Sequence, residues 1–411
     1  MRRRASGPTA VFLLALSIFW TGCGTTSRTV CAGSSNSTCG CGAPSSACPA
    51  DFIPLLYATT TSNQILGFSI NSSGALTALP STTGPANSES VAIDGGNTLL
   101  FADTSKNSVD SVAVDLITGA VTSIQGSPFS LGTPGGGPTG IAVGGQYGYL
   151  YATEPNGTIV GLSSSSGIGT FSSPLQNSPF PAGVAPSQIA IAAQGNAGAF
   201  FLYASDPGDA NGSILAYSAD SSGSLSPIQG SPFPTLPNAN PSVVLYDPYL
   251  PSSETQGTPF LLVSLGAVAK VAVFAIDSST GALTRVPGSP FDVGDGPSSL
   301  ATDQSNHVFV MNAVDHTVSS FNLGSNGVLT AIGSPLSVGT ASGGIAFGSS
   351  LAVFDSSSPV YELFVADTAA SAIWTLDVDQ TTGELTQSGS PLMVSSPPLQ
   401  LTFVDGLYPS Q

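Results

Sequence analysis

The sequence predicts an all-β fold, a seven-bladed β-propeller with four antiparallel strands per blade. Three observations lead to this prediction. A short strand motif recurs seven times along the 411 residues, a glycine-containing hairpin signature follows it, and no segment gives a clear helix. Each repeat spans about 50 residues, which is the length of a propeller blade.

The first repeated element is an apolar strand that ends in a polar turn. A second apolar strand follows it, for example Val109–Val114 or Val271–Ile276. Because apolar runs of four to eight residues bounded by turn signals are typical of buried strands, the two elements predict the central strands of each blade. The seven copies of the first element begin at Leu56, Leu100, Leu150, Leu202, Leu261, Val308 and Leu363.

A hairpin signature comes next, and Asp277–Thr284 is its clearest copy. The aspartate can hydrogen-bond the turn backbone, and the glycine supplies the left-handed conformation that a bulged hairpin requires. The third copy, residues 163–170, and the sixth, around Gly324 and Gly327, are less regular. Close matches are Asn71–Thr77, Asp115–Thr122, Asp220–Ser226 and Asp379–Thr386.

The motif Gly-Ser-Pro-Phe, or a close variant, follows the hairpin. Its copies start at residues 126, 177, 230, 288, 333 and 389. Because proline cannot donate to the sheet, this motif predicts the end of an outer edge strand. A strand of small residues completes the repeat, as in Pro138–Val143 and Pro186–Ile191, and small residues suit the crowded centre of a propeller.

The order of the elements predicts how the ring closes. Counted outward from the channel, the repeat region begins with the second strand of a blade, at Leu55–Ala58, and ends with the first, innermost strand, at Leu399–Phe403. We therefore expect the C-terminal strand to complete the first blade, which removes edges that could pair with other chains.

The N-terminus has the pattern of a secretion signal. Arg2, Arg3 and Arg4 form a positive region, and Val11–Trp20 is an apolar run too short for a transmembrane helix. We predict a signal peptide at 1–22, a Cys-rich flexible tether at 23–52, the propeller at 53–406 and a tail at 407–411. The protein is expected to be exported to the cell envelope.

All five cysteines lie in the first 48 residues. Thr21, Gly22 and Cys23 fit a bacterial lipobox, whereas Trp20 departs from it, so we expect lipidation at Cys23, with ordinary cleavage nearby as the alternative. The other four are disulfide candidates in an oxidising compartment, and three pairings remain open. They are Cys31, Cys39, Cys41 and Cys48.

The charge balance is acidic, with 7 Lys and Arg against 24 Asp and Glu. Only Lys106, Lys270 and Arg285 belong to the propeller, so the basic patch that nucleic-acid binding requires is not available. The same shortage argues against a phosphate pocket. We expect no nucleic-acid partner, no cofactor, no metal and membrane contact only through the N-terminal anchor, and we expect a monomer.

The apolar strand, the Asp-x-x-Thr-Gly-x-Leu-Thr hairpin of Asp277–Thr284 and the Gly-Ser-Pro-Phe motif together resemble the lactonase-type seven-bladed propellers, which are related to the YVTN-repeat proteins. The resemblance covers roughly residues 53–405. It implies 6-phosphogluconolactonase-like enzymes among the relatives, with His, Arg and Glu expected around the channel mouth. The matching positions here lack such a group, so no catalytic residue is carried over.

Ligands of propellers usually bind at the mouth of the central channel, near the starts of the innermost strands. Glu89 is the single charged residue at these positions and is therefore the candidate base or polar anchor, with a solvated carboxylate as the alternative; Gln188 is a further ligand-binding candidate. The positions are Ser88, Glu89, Thr139, Ser187, Gln188, Ser242, Ser298, Ser299, Ser342 and Gln400.

In several repeats, a polar residue ends the apolar strand whose seven copies begin at Leu56 and the equivalent positions. At equivalent positions these residues could form an acidic ring that binds a cation or a basic ligand, or they could simply initiate turns. They are Asp103, Glu154, Asp206, Asn312 and Asp367. The two histidines, His307 and His316, are interpreted as turn residues.

These features favour an envelope propeller that acts as a binding or interaction scaffold for a protein or a carbohydrate. The alternative is a lactone hydrolase, which would require an activated water and stabilisation of a developing oxyanion.

Overall fold

The computed structural model describes residues 53–404, apart from residues 72, 85–87, 89, 95–96, 133–134, 145–147, 165–168, 194–199, 248–257, 304–305, 341–342 and 350–360. Regular structure in the described residues consists of strands. Accordingly, this part of the chain contains no helix long and apolar enough to cross a membrane. The predicted signal peptide, tether and tail lie outside the described residues.

The strands form seven antiparallel sheets, which we number as blades 1 to 7 in chain order. Blade 1 contains β1 (Leu55–Thr60), β2 (Gln64–Ile70), β3 (Leu76–Ala78) and β4 (Thr82–Thr83), and blade 2 contains β5 (Val91–Asp94), β6 (Thr98–Asp103), β7 (Ser108–Val114), β8 (Val121–Ser123) and β9 (Phe129–Ser130). Blade 3 contains β10 (Gly140–Gly144), β11 (Tyr149–Glu154), β12 (Thr158–Ser164), β13 (Phe171–Pro174) and β14 (Phe180–Pro181). Blade 4 contains β15 (Ile189–Ala193), β16 (Phe200–Asp206), β17 (Ser213–Ala219), β18 (Leu225–Pro227) and β19 (Phe233–Pro234).

Blades 5 to 7 repeat the arrangement, and the last strand returns to blade 1. Blade 5 contains β20 (Pro241–Asp247), β21 (Phe260–Leu265), β22 (Lys270–Ile276), β23 (Leu283–Arg285) and β24 (Phe291–Asp292), and blade 6 contains β25 (Pro297–Thr302), β26 (His307–Asn312), β27 (Thr317–Leu323) and β28 (Leu329–Ser337). Blade 7 contains β29 (Ile345–Ser349), β30 (Tyr361–Asp367), β31 (Ala372–Val378), β32 (Leu385–Gln387) and β33 (Leu392–Met393). The last strand is β34 (Pro398–Val404).

The innermost strands form a closed ring. Contacts run from β5 to β10, β15, β20, β25, β29 and β34, and from β34 back to β5. The C-terminal strand β34 pairs with β1, with Leu55 opposite Val404 and Ala58 opposite Leu401. The predicted seven-bladed fold and its closure by the C-terminal strand are therefore confirmed.

The core lies between neighbouring blades. One cluster joins Tyr151 of blade 3 to Phe200 and Leu202 of blade 4, and another joins Leu56 of blade 1 to Phe364 of blade 7. Burying one such side chain contributes roughly 1.5–3 kcal/mol. Because every blade supplies one wall of two clusters, the blades stabilise one another around the ring.

The hairpins form as their sequence predicts. Asp277 Oδ1 accepts hydrogen bonds from the backbone N–H groups of Ser279 and Thr280, each at 2.9 Å. A hydrogen bond from the Ser279 hydroxyl, together with these backbone bonds, lowers the pKa of Asp277 to about 2. Each blade has a hairpin glycine with φ between 68° and 79°, a region that disfavours other residues; these are Gly74, Gly119, Gly169, Gly223, Gly281, Gly327 and Gly383.

The Ser-Pro-Phe segments correct one expectation, because the outer strand does not end there. Ser289 Oγ accepts a hydrogen bond from Val273 N at 2.9 Å, and the strand then resumes with Phe291 opposite Val271. The same break divides the outer strand of blades 2, 3 and 4. In blade 6, β28 runs without interruption, whereas the outer strand of blade 7 is divided although its segment has the same length and also has a leucine, Leu392, in place of phenylalanine.

Candidate functional site

The candidate site is the channel mouth, where the innermost strands begin. Antiparallel pairing places Gly140, at the start of β10, opposite Thr153 near the end of β11. The start of each innermost strand and the end of the next strand therefore lie at the same end of the blade. The described mouth positions and the five strand-ending polar residues consequently share one face of the propeller.

Hydroxyl groups at the mouth link blades 3 and 4. Thr139 Oγ1 donates to Pro186 O at 2.9 Å, and the hydroxyl of Thr153 donates to Ser187 O. Gln188 Nε2 donates to Thr139 O at 3.3 Å. These hydrogen bonds join blades 3 and 4 at the mouth. The side chain of Gln188 is held in position by one of them.

The same pattern continues in other blades. Thr59 Oγ1 donates to Ser88 O at 2.7 Å and accepts from Gln400 N at 3.1 Å. Ser299 Oγ accepts from Ile345 N at 3.2 Å, which connects blade 6 to blade 7. Ser298 differs, because its buried hydroxyl has no hydrogen-bond partner among the residues that the structure describes. The described mouth positions thus present uncharged hydroxyl and amide groups.

Glu89 and Ser342 lie outside the described residues, as do Cys23, Cys31, Cys39, Cys41 and Cys48. The proposed roles of these residues therefore stay predictions.

The strand-ending residues lie at equivalent positions, but each is buried. Asp206 accepts backbone hydrogen bonds from Val184 and Ala185 at 2.8 and 2.9 Å. Those two residues belong to the segment that connects blade 3 to blade 4. A methyl group added at Gly183 would overlap the Asp206 carboxylate. Asp206 therefore anchors this connection between blades.

Glu154 and Asn312 have a similar environment. Gly135 lies against the carboxylate of Glu154, and Gly294 lies against the amide of Asn312, so a side chain at either glycine would collide with it. Asn312 Nδ2 donates to Ser319 Oγ at 2.8 Å, and Glu154 Oε2 accepts from Thr158 Oγ1 at 3.0 Å. Both side chains lie beneath the connections between blades.

Asp103 and Asp367 bind the turns that follow their own strands. Lys106 Nζ lies 2.7 Å from Asp103 Oδ2. Burial alone would raise the pKa of Asp103, but hydrogen bonds from Lys106 and Ser105 outweigh it and lower the pKa. Asp367 accepts from Ala370 N at 2.9 Å and from Trp374 Nε1 at 3.3 Å. A ligand-binding role for the five residues stays a prediction.

His307 corrects a sequence interpretation, because it is not a turn residue. It begins β26, opposite Asn322, and only 2% of its surface is exposed. Its Nδ1 lies 2.7 Å from Asp303 Oδ2. This pair lies at the opposite end of β26 from Asn312, away from the mouth. His316 does lie in a turn, with φ 53°.

One further feature lies outside the mouth. A cavity of about 210 Å³ between the outer strands of blades 6 and 7 is lined by Val318, Ile332, Leu336 and Glu384, among others. Within the described residues, no group of three or more His, Cys, Asp or Glu side chains could hold a metal ion.

Comparisons with solved structures agree on the architecture. The chain is similar to the periplasmic gluconolactonase of Pseudomonas aeruginosa, with a TM-score of 0.66 and 17% identity over 86% of this chain and 99% of that one. It is similar to a proposed 6-phosphogluconolactonase of Bacteroides fragilis, with a TM-score of 0.67 and 18% identity over 88% and 100% of the two chains.

A proposed 6-phosphogluconolactonase of Bacteroides uniformis gives a TM-score of 0.67 at 16% identity, over 86% of this chain and 100% of that one. No protein-family profile matches the chain, and no curated protein matches it. The chain therefore has the seven-bladed propeller fold of these lactonase-type structures.

Proposed function

We propose that the protein is an exported hydrolase that opens non-phosphorylated sugar lactones at the mouth of its channel. The observation that carries the proposal is the chemistry of the mouth, whose described positions present hydroxyl and amide groups and no cationic side chain. Such groups suit a neutral, hydroxyl-rich ligand. A phosphorylated ligand would favour Arg or Lys at the site.

The likeness to a periplasmic gluconolactonase and to two proposed 6-phosphogluconolactonases, over nearly their whole length, supports a lactone as the substrate class. In the reaction, water attacks the lactone carbonyl and the ring C–O bond breaks, which gives a hydroxy acid. Glu89 is the carboxylate available to take the proton from water. The hydroxyl of Ser298, which has no partner among the described residues, is a candidate donor to the carbonyl oxygen.

The test is acid release from a panel of sugar lactones, followed in a pH-stat with and without added divalent cations. We expect turnover by the native chain and a loss of at least about 100-fold with Glu89→Gln, the usual scale for a general base. Glu384→Gln is the matched control, because Glu384 is exposed on blade 7. Equal turnover by both variants would contradict the role of Glu89.

The second candidate function is the binding scaffold, and the hydrogen bonds at the mouth favour it. The side chains of Thr139, Thr153 and Gln188 donate hydrogen bonds between blades 3 and 4. Fewer polar groups are therefore left for catalysis. Saturable binding of an open-chain sugar acid with no turnover of any lactone would support the scaffold and contradict the hydrolase.

The proposal also includes export and a lipid anchor at Cys23. It rests on Arg2–Arg4, the apolar run Val11–Trp20 and the lipobox-like residues that follow. The periplasmic origin of one similar structure agrees with export. Mass spectrometry of the mature N-terminus tests it: we expect acylated Cys23, and an unacylated start at another residue would contradict the anchor.

A further inference from the structure

The seven contacts between neighbouring blades share one geometry. At each contact, which we call a seam, the hairpin glycine of one blade lies against a residue of the two inner strands of the preceding blade. At seam 3–4, Tyr151 Oη donates to Gly223 O at 2.6 Å. At seam 4–5, Tyr203 Oη donates to Gly281 O at 2.8 Å.

Two more seams have a similar polar contact. Tyr57 Oη donates to Gly119 O at 2.8 Å across seam 1–2. At seam 2–3 the direction is reversed, and Asp94 Oδ2 accepts from Gly169 N at 2.7 Å. A carboxylate is therefore tolerated at a seam when the hairpin supplies a donor.

Seams 5–6 and 6–7 place other side chains against the glycine. Phe260 lies against Gly327, and His307 lies against Gly383. His307 has Asp303 as its partner, and Phe260 requires none. At the first six seams, the aromatic or ionisable side chain that contacts the hairpin is thus apolar or hydrogen-bonded; the small hydroxyl of Ser111, beside Gly169, is the exception with no partner among the described residues.

The closing seam, 7–1, is different. Glu362 lies against Gly74, so close that a methyl group at Gly74 would overlap Glu362 Oε1. Glu362 is 0% exposed, and within the described part of the chain neither of its carboxyl oxygens has a hydrogen-bond partner. An ionised carboxylate buried without a partner is costly, so such a group holds its proton instead.

The charges around Glu362 act in the same direction. Asp377 lies opposite Glu362 on β31, and Gly348 lies opposite it on β29. The described residues of the blade 1 hairpin, including Asn71 and Gly74, carry no charge. Burial, and secondarily the negative charge of Asp377, raise the pKa of Glu362 to about 8.

We propose that Glu362 makes the closing seam a pH-responsive joint, closed while its carboxyl group is protonated and opened more readily once the proton is lost. Below the usual glutamate pKa of about 4.5, closed and open seams both hold the proton, and pH has no effect. Between that value and about 8 only the closed seam holds it, so rising pH favours opening. Above about 8 the effect levels off.

Hydrogen exchange measured from pH 5 to pH 9 by mass spectrometry tests the joint on the full chain. After correction for intrinsic exchange rates, we expect the opening constant of the Asn71–Ala75 hairpin to rise by up to about tenfold per pH unit, until it levels near pH 8. The hairpin at Gly281 serves as the internal reference and should show no such slope.

Glu362→Gln keeps the shape of the side chain but removes the titration, so it should flatten the profile at seam 7–1. Glu384→Gln, in the same blade, should leave the slope intact. A slope that survives in Glu362→Gln, or an equal slope at both hairpins, would overturn the proposal. If Glu362→Gln does not fold, the comparison of the two hairpins in the native chain decides the matter.

Discussion

Tyr151→Phe tests whether the tyrosine–glycine contacts hold the blades together. The substitution keeps the ring, including its edge-on contact with Phe200 at 5.7 Å, and removes the hydroxyl that donates to Gly223 O. Burial raises the pKa of Tyr151, so the hydroxyl is a donor throughout the accessible pH range. The variant therefore isolates one buried hydrogen bond.

The magnitude follows from the surroundings of the carbonyl. A net hydrogen bond contributes about 1 kcal/mol, and a buried carbonyl left without its donor costs about 1–3 kcal/mol. We therefore expect the free energy of unfolding to fall by about 1–3 kcal/mol. Tyr149 is the matched control, because its hydroxyl donates to Ser221 O of the same hairpin at 2.8 Å in an exposed position, where water can replace it.

Equilibrium urea unfolding followed by circular dichroism measures both variants. Tyr149→Phe should cost less than about 0.5 kcal/mol, as surface changes usually do. An unchanged midpoint for Tyr151→Phe, or equal losses for the two variants, would refute the idea that the buried seam bond is the stabilising contact.

One deletion and one pair of glycine substitutions also test the architecture. Deleting 398–411 removes β34, the strand that pairs with β1, and should lower the melting temperature of the whole propeller; an unchanged melting temperature would show that closure does not depend on it. Gly183→Ala and Gly389→Ala place a methyl group at φ values of 67° and 69°, but only the first meets the Asp206 carboxylate, whereas the second meets open space. We expect Gly183→Ala to cost at least about 1 kcal/mol more in urea unfolding, the scale of a buried steric conflict, and equal costs would contradict the role of Asp206 as an anchor.

Much of the fold could be predicted because its signals are local. The hairpin of Asp277–Thr284 needs an acceptor and a left-handed glycine, and both are visible in the sequence. The pairing of β34 with β1 followed from the order of strand types alone. The continuation of the outer strand past Ser289 could not be predicted in this way, because it depends on a hydrogen bond to Val273 in the neighbouring strand.

The candidate site was less predictable, since repeat position does not reveal what lies above a residue. Asp206 was placed correctly at a strand end, but its burial depends on the connection that passes through Gly183. His307 was misplaced because its polarity resembles a turn, whereas Asp303 allows it to lie within a strand. Glu362 was overlooked, although a carboxylate inside an otherwise apolar strand motif was a usable signal.

The central claim is that the channel mouth acts on non-phosphorylated lactones. The most direct measurement is the ratio of kcat/KM for glucono-1,5-lactone to that for its 6-phosphate, with the native chain. Because the described mouth positions offer no cationic side chain, we predict a ratio well above one: the phosphate would have to leave water without a cationic partner. A ratio below one, or no ring opening of either lactone, would contradict the account.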